Sequence, residues 1–141
     1  MLLPDANVLL CAVNSDASNH ALARGWLDQA LAGRRTVGFT WSVLLAFLRL
    51  ATHPAVFPRP IDVAQATEQV RSWLRCSTAV VVEPSARHVE VLANLLTASG
   101  VGGNLVGDAH LAAIAIEHGA ELVSFDRDFA RFAGLRWTLP S

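Results

Sequence analysis

Residues 105–129 decide the fold, and they read LVGDAHLAAIAIEHGAELVSFDRDF. A helical apolar pattern runs over residues 108–118 and stops at Gly119, the residue type that commonly follows a helix C-terminus. A short β-type run follows at residues 121–125 and ends at Asp126. A helix that leads into a short apolar strand is the unit from which parallel α/β sheets are built. This stretch therefore predicts an α/β fold.

The same alternation continues through the rest of the chain. Further strands are predicted at Leu2–Pro4 and at residues 36–39, 79–82 (a buried β-branched run) and 135–139. Further helices are predicted at Ala6–Val13, from an N-cap at Ser18 to residue 32, at Trp41–Ala51, from a capping box of Asp62 and Gln65 to residue 75, and from an N-cap at Ser85 to residue 98. Prolines mark a loop at residues 53–60 and glycines another at residues 99–104. Together these elements predict three layers, a mostly parallel central sheet of about five strands flanked by helices.

Length and composition fit one domain. The 141 residues contain no repeat or linker, so residues 1–141 are predicted to form a single domain.

Hydrophobic residues make up 52% of the chain, yet the longest apolar runs are far shorter than the about 20 residues that span a bilayer. The N-terminus lacks the basic start of a signal peptide. The two cysteines have no C-x-x-C or Cys/His spacing, so we expect reduced thiols in a cytoplasmic protein without membrane contact.

All eleven basic residues are arginines, and the net charge is −1. The chain therefore has no overall positive charge that would attract nucleic acid. Arginine suits bidentate phosphate contacts, although a GC-rich genome would explain the same bias. The lack of lysine excludes chemistry that depends on a lysine side chain.

Three aspartates fall where strands end or helices begin. Asp5 follows the first predicted strand, Asp126 follows the fourth, and Asp108 opens a helix after the glycine-containing loop. Because ligands bind beyond the carboxyl ends of parallel strands, these carboxylates are expected at one edge of the sheet. Clustered carboxylates repel unless a cation neutralises them, and oxygen ligands favour Mg²⁺ or Mn²⁺. Such a site can activate water for attack on a phosphodiester.

Each aspartate also has a purely structural interpretation. Asp is among the best helix N-caps, and all three precede a predicted helix. The two roles are compatible, because a capping carboxylate keeps one oxygen free. Spacing alone therefore favours a metal site only mildly.

Three segments resemble the PIN domain as it occurs in VapC toxins, particularly the mycobacterial type: LLPDANVLLCAV (residues 2–13), residues 105–129, and FAGLRWTLPS (residues 132–141). The resemblance implies a Mg²⁺- or Mn²⁺-dependent endoribonuclease, the toxin of a toxin–antitoxin pair, that is neutralised by a VapB antitoxin and is usually dimeric. By position, Asp5, Asp108 and Asp126 match the family's metal-binding catalytic acids. Asp128 matches a further acid that some members use.

One position departs from the family pattern. The third helix of most PIN domains carries a glutamate where this chain has Phe47, and residues 29–61 contain no acid. We expect Phe47 to pack against the sheet and the site to hold at most one metal without RNA, mainly through Asp5 and Asp108.

Other polar and aromatic residues are weaker candidates. In the family, the positions of Asn7 and Ser42 often line the acidic pocket, and His110 could meet substrate, although a lone histidine is more often structural. Candidate phosphate contacts are Arg49, Arg127 and Arg131, and the tryptophans expected in the core or a dimer interface are Trp26, Trp41 and Trp73.

Two other functions fit parts of the pattern. A phosphoacceptor or phosphatase also places an Asp after its first strand. Phosphoacceptors rely on a lysine near the phosphoryl group, and this chain has no lysine, while the phosphatase pattern needs a second acid two residues after the first, where this chain has Asn7. A PIN-like protein that binds RNA or a partner without catalysis would explain Phe47. Retention of Asp5, Asp108 and Asp126 argues against that alternative.

Overall fold

The computed structural model describes residues 1–100 and 102–141, in which five parallel strands form one sheet. The strands are β1 (Leu2–Pro4), β2 (Val37–Phe39), β3 (Ala79–Val81), β4 (Glu121–Val123) and β5 (Arg136–Thr138). Their order in the sheet is β3-β2-β1-β4-β5, so β1 lies at the centre. The register pairs Leu3 of β1 with Leu122 of β4. The predicted α/β class and parallel sheet are confirmed.

Helices cover both faces of this sheet. They are α1 (Ala6–Val13), α2 (His20–Ala32), α3 (Trp41–Ala51), α4 (Val63–Leu74), α5 (His88–Ser99) and α6 (Val106–Glu117). Helix α1 packs against α2 and α3, α3 packs against α4, and α5 packs against α6. Because parallel connections are right-handed and the strand order reverses after β3, α1–α4 lie on one face and α5–α6 on the other. Within the described part of the chain, no helix has the length and apolarity to cross a membrane.

Several element predictions are confirmed. Helices α1 and α3 have the predicted bounds, and α4 begins with the Asp62–Gln65 capping box. Gly119 follows α6 with φ +61°, a left-handed conformation that glycine adopts without strain. In the predicted loop at 99–104, Ser99 ends α5 and Gly103–Leu105 form a 3₁₀ turn, while Val101 lies outside the described residues.

Other predictions were wrong, for identifiable reasons. Helix α2 begins after Asn19, so Ser18 is not its N-cap. Ser85 does not cap α5, because α5 begins only at His88; the Ser85 hydroxyl accepts from the Arg87 N–H at 3.1 Å and donates to Glu117 of α6 at 2.5 Å. The β-branched run at 79–82 is only partly buried, with Val80 39% exposed, because β3 is an edge strand.

Candidate active site

The carboxyl ends of β1 and β4 form the point where the chain connections diverge. From β1 the chain proceeds through β2 to β3 on one side, and it returns through α5 and α6 to β4 on the other. In open parallel sheets, ligands bind in the crevice at this point. Asp5 follows β1 directly, Asp126 lies three residues after β4, and Asp108 is in the first turn of α6, which leads into β4.

Asp5 is both a helix cap and a site residue. Its Oδ1 accepts a hydrogen bond from the backbone N–H of Ala6 at 2.7 Å, at the start of α1. Its Oδ2 accepts from the Ser124 hydroxyl at 2.7 Å and from the Asn7 amide at 3.2 Å. Burial raises the pKa of Asp5, the Ser124 hydrogen bond lowers it in part, and the charge of Asp126 raises it further. The hydrogen bonds therefore fix the side chain, while burial and the charge of Asp126 disfavour its ionised form.

Ser124 joins the ends of the two central strands. It is fully buried, and its hydroxyl donates to Asp5 while accepting from the Asn7 amide at 2.9 Å and the Asp126 N–H at 3.0 Å. Asn7 completes the network by accepting from the Phe125 N–H at 3.2 Å. All three hydrogen-bonding positions of the hydroxyl are thus used. The structure places Asn7 at the acidic site as predicted, and it adds Ser124, which the sequence analysis missed.

Asp126 and Asp128 lie on a 3₁₀ turn at Arg127–Arg131 that follows β4. Asp126 Oδ1 accepts from the Asp128 N–H at 2.9 Å, so Asp126 caps this turn and keeps one oxygen free. The carboxylate of Asp128 is 61% exposed and lies 3.4 Å from the Arg131 guanidinium. Asp128 is therefore more peripheral than the other three acids.

Asp108 shares the electrostatic field of these acids. It lies inside the first turn of α6 rather than at the N-cap, so the capping interpretation was wrong for this residue. Its pKa is raised, first by burial and then by the negative charges of Asp126, Asp5 and Asp128, while Arg131 lowers it. The negative charge of Asp108 is therefore repelled by each of the other three acids.

The acids of this site interact through their charges, but the structure does not place three of them as a preformed metal site. Across residues 1–100 and 102–141, no three His, Cys, Asp or Glu side chains stand close enough to hold a metal ion as they are. The donors are all carboxylate oxygens, the type that Mg²⁺ and Mn²⁺ prefer. The chemistry of the site fits a hard divalent cation, which would offset the repulsion between the carboxylates.

The third helix contributes no acid and is packed into the core. Phe47 is fully buried, as expected, with its ring edge-on to Trp73 of α4 at a centroid distance of 4.9 Å. Ser42, in the first turn of α3, is exposed, and its hydroxyl lies 3.1 Å from that of Thr40. Of the tryptophans assigned to a core or interface, Trp73 is buried, whereas Trp41 is 46% exposed.

His110 takes part in a hydrogen-bonded network between α5 and α6. Its Nδ1 lies 2.8 Å from His88 Nε2, and His88 Nδ1 lies 2.6 Å from the buried Glu117 carboxylate. This network joins α5 to α6 and gives His110 a structural role.

The fold and the site define a class of protein, an α/β domain with a cluster of aspartates at the switch point of a parallel sheet. The family model of the PIN domain matches residues 2–135. The chain is 53% identical to Ribonuclease VapC37 of Mycobacterium tuberculosis over 99% of this chain and 97% of that protein. It is 39% identical to Ribonuclease VapC33 of the same species over 99% of this chain and 98% of that protein. The chain belongs to the PIN-domain family and, within it, to the VapC family, as its sequence motifs indicated.

Solved structures show the same fold at low sequence identity. A structure of VapBC2 from Rickettsia felis, bound to a promoter DNA fragment, matches with a TM-score of 0.73 and 19% identity, covering 99% of this chain and 98% of that chain. VapC20 of Mycobacterium tuberculosis, described as a sarcin–ricin loop cleaving toxin, matches with a TM-score of 0.68 and 18% identity, covering 96% and 99%.

Proposed function

We propose that this protein is a metal-dependent endoribonuclease that acts in the cytoplasm as the toxin of a type II toxin–antitoxin pair. The observation that carries the proposal is 53% identity, along nearly the whole chain, to a protein named as a VapC ribonuclease. The site supports it, because Asp5, Asp108 and Asp126 come from three elements and interact electrostatically at one edge of the sheet.

The cation would be Mg²⁺ or Mn²⁺, held by Asp5, Asp108 and Asp126. Asp128 is the further acid that the family resemblance implies. When bound, such a cation activates water and offsets the charge that builds on the scissile phosphate. Ser124 fixes Asp5 through its hydroxyl and fixes the backbone of Asp126, so both carboxylates would hold the cation from set positions.

The proposed partners are a VapB-type antitoxin and a second copy of the chain. We expect the antitoxin to bind across helices near the acidic site, and the VapBC complexes among the solved structures that share this fold support such a partner. On α3, Leu45 is 58% exposed one turn after Trp41, which offers apolar surface to a second copy. Light scattering is expected to give twice 15.1 kDa, and a monomer would contradict the dimer.

The direct test of the proposed activity is cleavage of structured RNA by the purified protein. We expect cleavage with Mg²⁺ or Mn²⁺ and none with EDTA. Binding of RNA without cleavage under any metal condition would favour the catalytically weakened alternative. Mapping the RNA ends after induced expression would identify the RNA that is cut.

A further inference from the structure

Arg131 lies beside the acidic residues and is fixed there by the chain itself. Its Nε donates to the backbone carbonyl of Asp128 at 3.1 Å, and its Nη2 lies 3.4 Å from the Asp128 carboxylate. Both contacts fall within the 3₁₀ turn that follows Asp126. The same turn is bonded to the acidic site, because the Asp128 N–H donates to Asp126 Oδ1 at 2.9 Å.

Arg131 differs from the other ion-paired arginines in its burial. Its side chain is 34% exposed, whereas those of Arg24, Arg35, Arg59, Arg71 and Arg75 are between 52% and 75% exposed. Arg71 is the nearest match in geometry, since it also pairs with an acid three residues earlier, Glu68, at 3.3 Å. That pair lies on the exposed side of α4, and the Asp128–Arg131 pair borders the carboxylate cluster.

A phosphodiester that approaches this cluster meets several negative charges. A positively charged side chain at the edge of the cluster would offset these charges. Because the chain contains no lysine, that side chain would be an arginine. An arginine whose Nε and one Nη are already turned toward Asp128 keeps further N–H groups for a phosphate oxygen.

We propose that Arg131 contacts a phosphate of the RNA substrate beside the carboxylates, and that Asp128 is the residue that positions it. The inference rests on the proposed ribonuclease function. It gives Asp128 a role distinct from the metal-ligand role that the family resemblance implies. Substitution of either residue should therefore weaken RNA binding even where no metal is present.

The test is binding of a fluorescently labelled oligouridine RNA in EDTA, over a series of NaCl concentrations. Arg131→Gln should weaken binding roughly three- to tenfold. It should also reduce the slope of log affinity against log salt by about 0.7, the value for one phosphate contact on a single strand. Arg131→Lys keeps the charge and should retain the salt slope while losing part of the affinity. Asp128→Asn should weaken binding less than Arg131→Gln, and the double variant should be no weaker than Arg131→Gln alone.

Arg71→Gln and Glu68→Gln are the matched controls, and they should leave the affinity and the salt slope unchanged. Equal losses in Arg71→Gln and Arg131→Gln would overturn the inference, because they would show an effect of net charge only. Wild-type affinity and slope in Arg131→Gln, or no binding of the RNA by the wild-type chain, would overturn it as well. The cleavage assay tests the ribonuclease proposal separately. That proposal fails, and the inference about Arg131 stands, if the wild-type protein binds RNA through Arg131 but does not cleave it with Mg²⁺ or Mn²⁺.

Discussion

The ends of the central strands and the third helix are fixed in different ways. At the ends of β1 and β4, Asp5, Asn7 and Ser124 are joined by hydrogen bonds between residues that are 117 to 119 positions apart in sequence. On α3, Phe47 is fixed by apolar packing against Trp73. We therefore expect substitutions at the strand ends to change activity and substitution of Phe47 to change stability.

The largest expected effect comes from the acids of the central strands. Asp5→Asn and Asp108→Asn should each reduce RNA cleavage by about a thousandfold or more, because each removes a carboxylate proposed to hold the cation. Asn caps helices as well as Asp does, so loss of capping cannot explain a loss of activity in Asp5→Asn. Asp62→Asn, at the N-cap of α4, is the control and should cleave normally. Growth arrest by either active-site variant at equal expression would contradict its assigned role.

Phe47→Ala tests the other side of the comparison. Removal of this fully buried ring should lower the free energy of unfolding by about 3–5 kcal/mol. Val89→Ala, at an exposed position on α5, should change it by less than about 0.5 kcal/mol. Denaturant unfolding measures both. A Phe47→Ala protein that kept its stability but lost cleavage would place Phe47 in the chemistry.

Ser124→Ala should affect both activity and stability. It leaves the Asn7 amide and the Asp126 N–H without their partner in a buried site, which costs about 1–3 kcal/mol. Partners that orient metal-binding residues typically contribute about 10–100-fold to activity, and a loss of that size is expected in cleavage assays. Ser72→Ala, at an exposed position of α4, is the control. Unchanged cleavage by Ser124→Ala would show that Asp5 needs no such support.

The smallest effect concerns the choice of metal. Without an acid on α3, the proposed cation would have fewer protein ligands, and Mg²⁺ demands near-ideal octahedral geometry. Mn²⁺ should therefore support cleavage at least as well as Mg²⁺, and either metal should be needed at millimolar concentration. Rates measured across a titration of each metal test this. A strong preference for Mg²⁺ at micromolar concentration would contradict it.

The sequence predicted where the strands and helices lie along the chain better than it predicted which elements pack side by side. Apolar periodicity located the strands and helices, and Asp5, Asp108 and Asp126 could be placed because strand ends meet at one edge. The sheet order could not be predicted, so the run at 79–82 was assigned to the core although β3 is an edge strand. Ser124 carried one signal, a hydroxyl within an apolar strand two residues before Asp126. Its partners, however, depend on contacts between distant parts of the chain.

The most direct measurement is the stoichiometry of Mn²⁺ binding to the RNA-free protein, followed by electron paramagnetic resonance. If Asp5, Asp108 and Asp126 hold a single cation and α3 contributes none, the wild-type chain binds one Mn²⁺. Asp5→Asn and Asp108→Asn should then bind it far more weakly, while Asp62→Asn binds it normally. Two fully occupied Mn²⁺ sites in the wild-type protein, or one that persists unchanged in Asp5→Asn, would contradict the proposed metal centre.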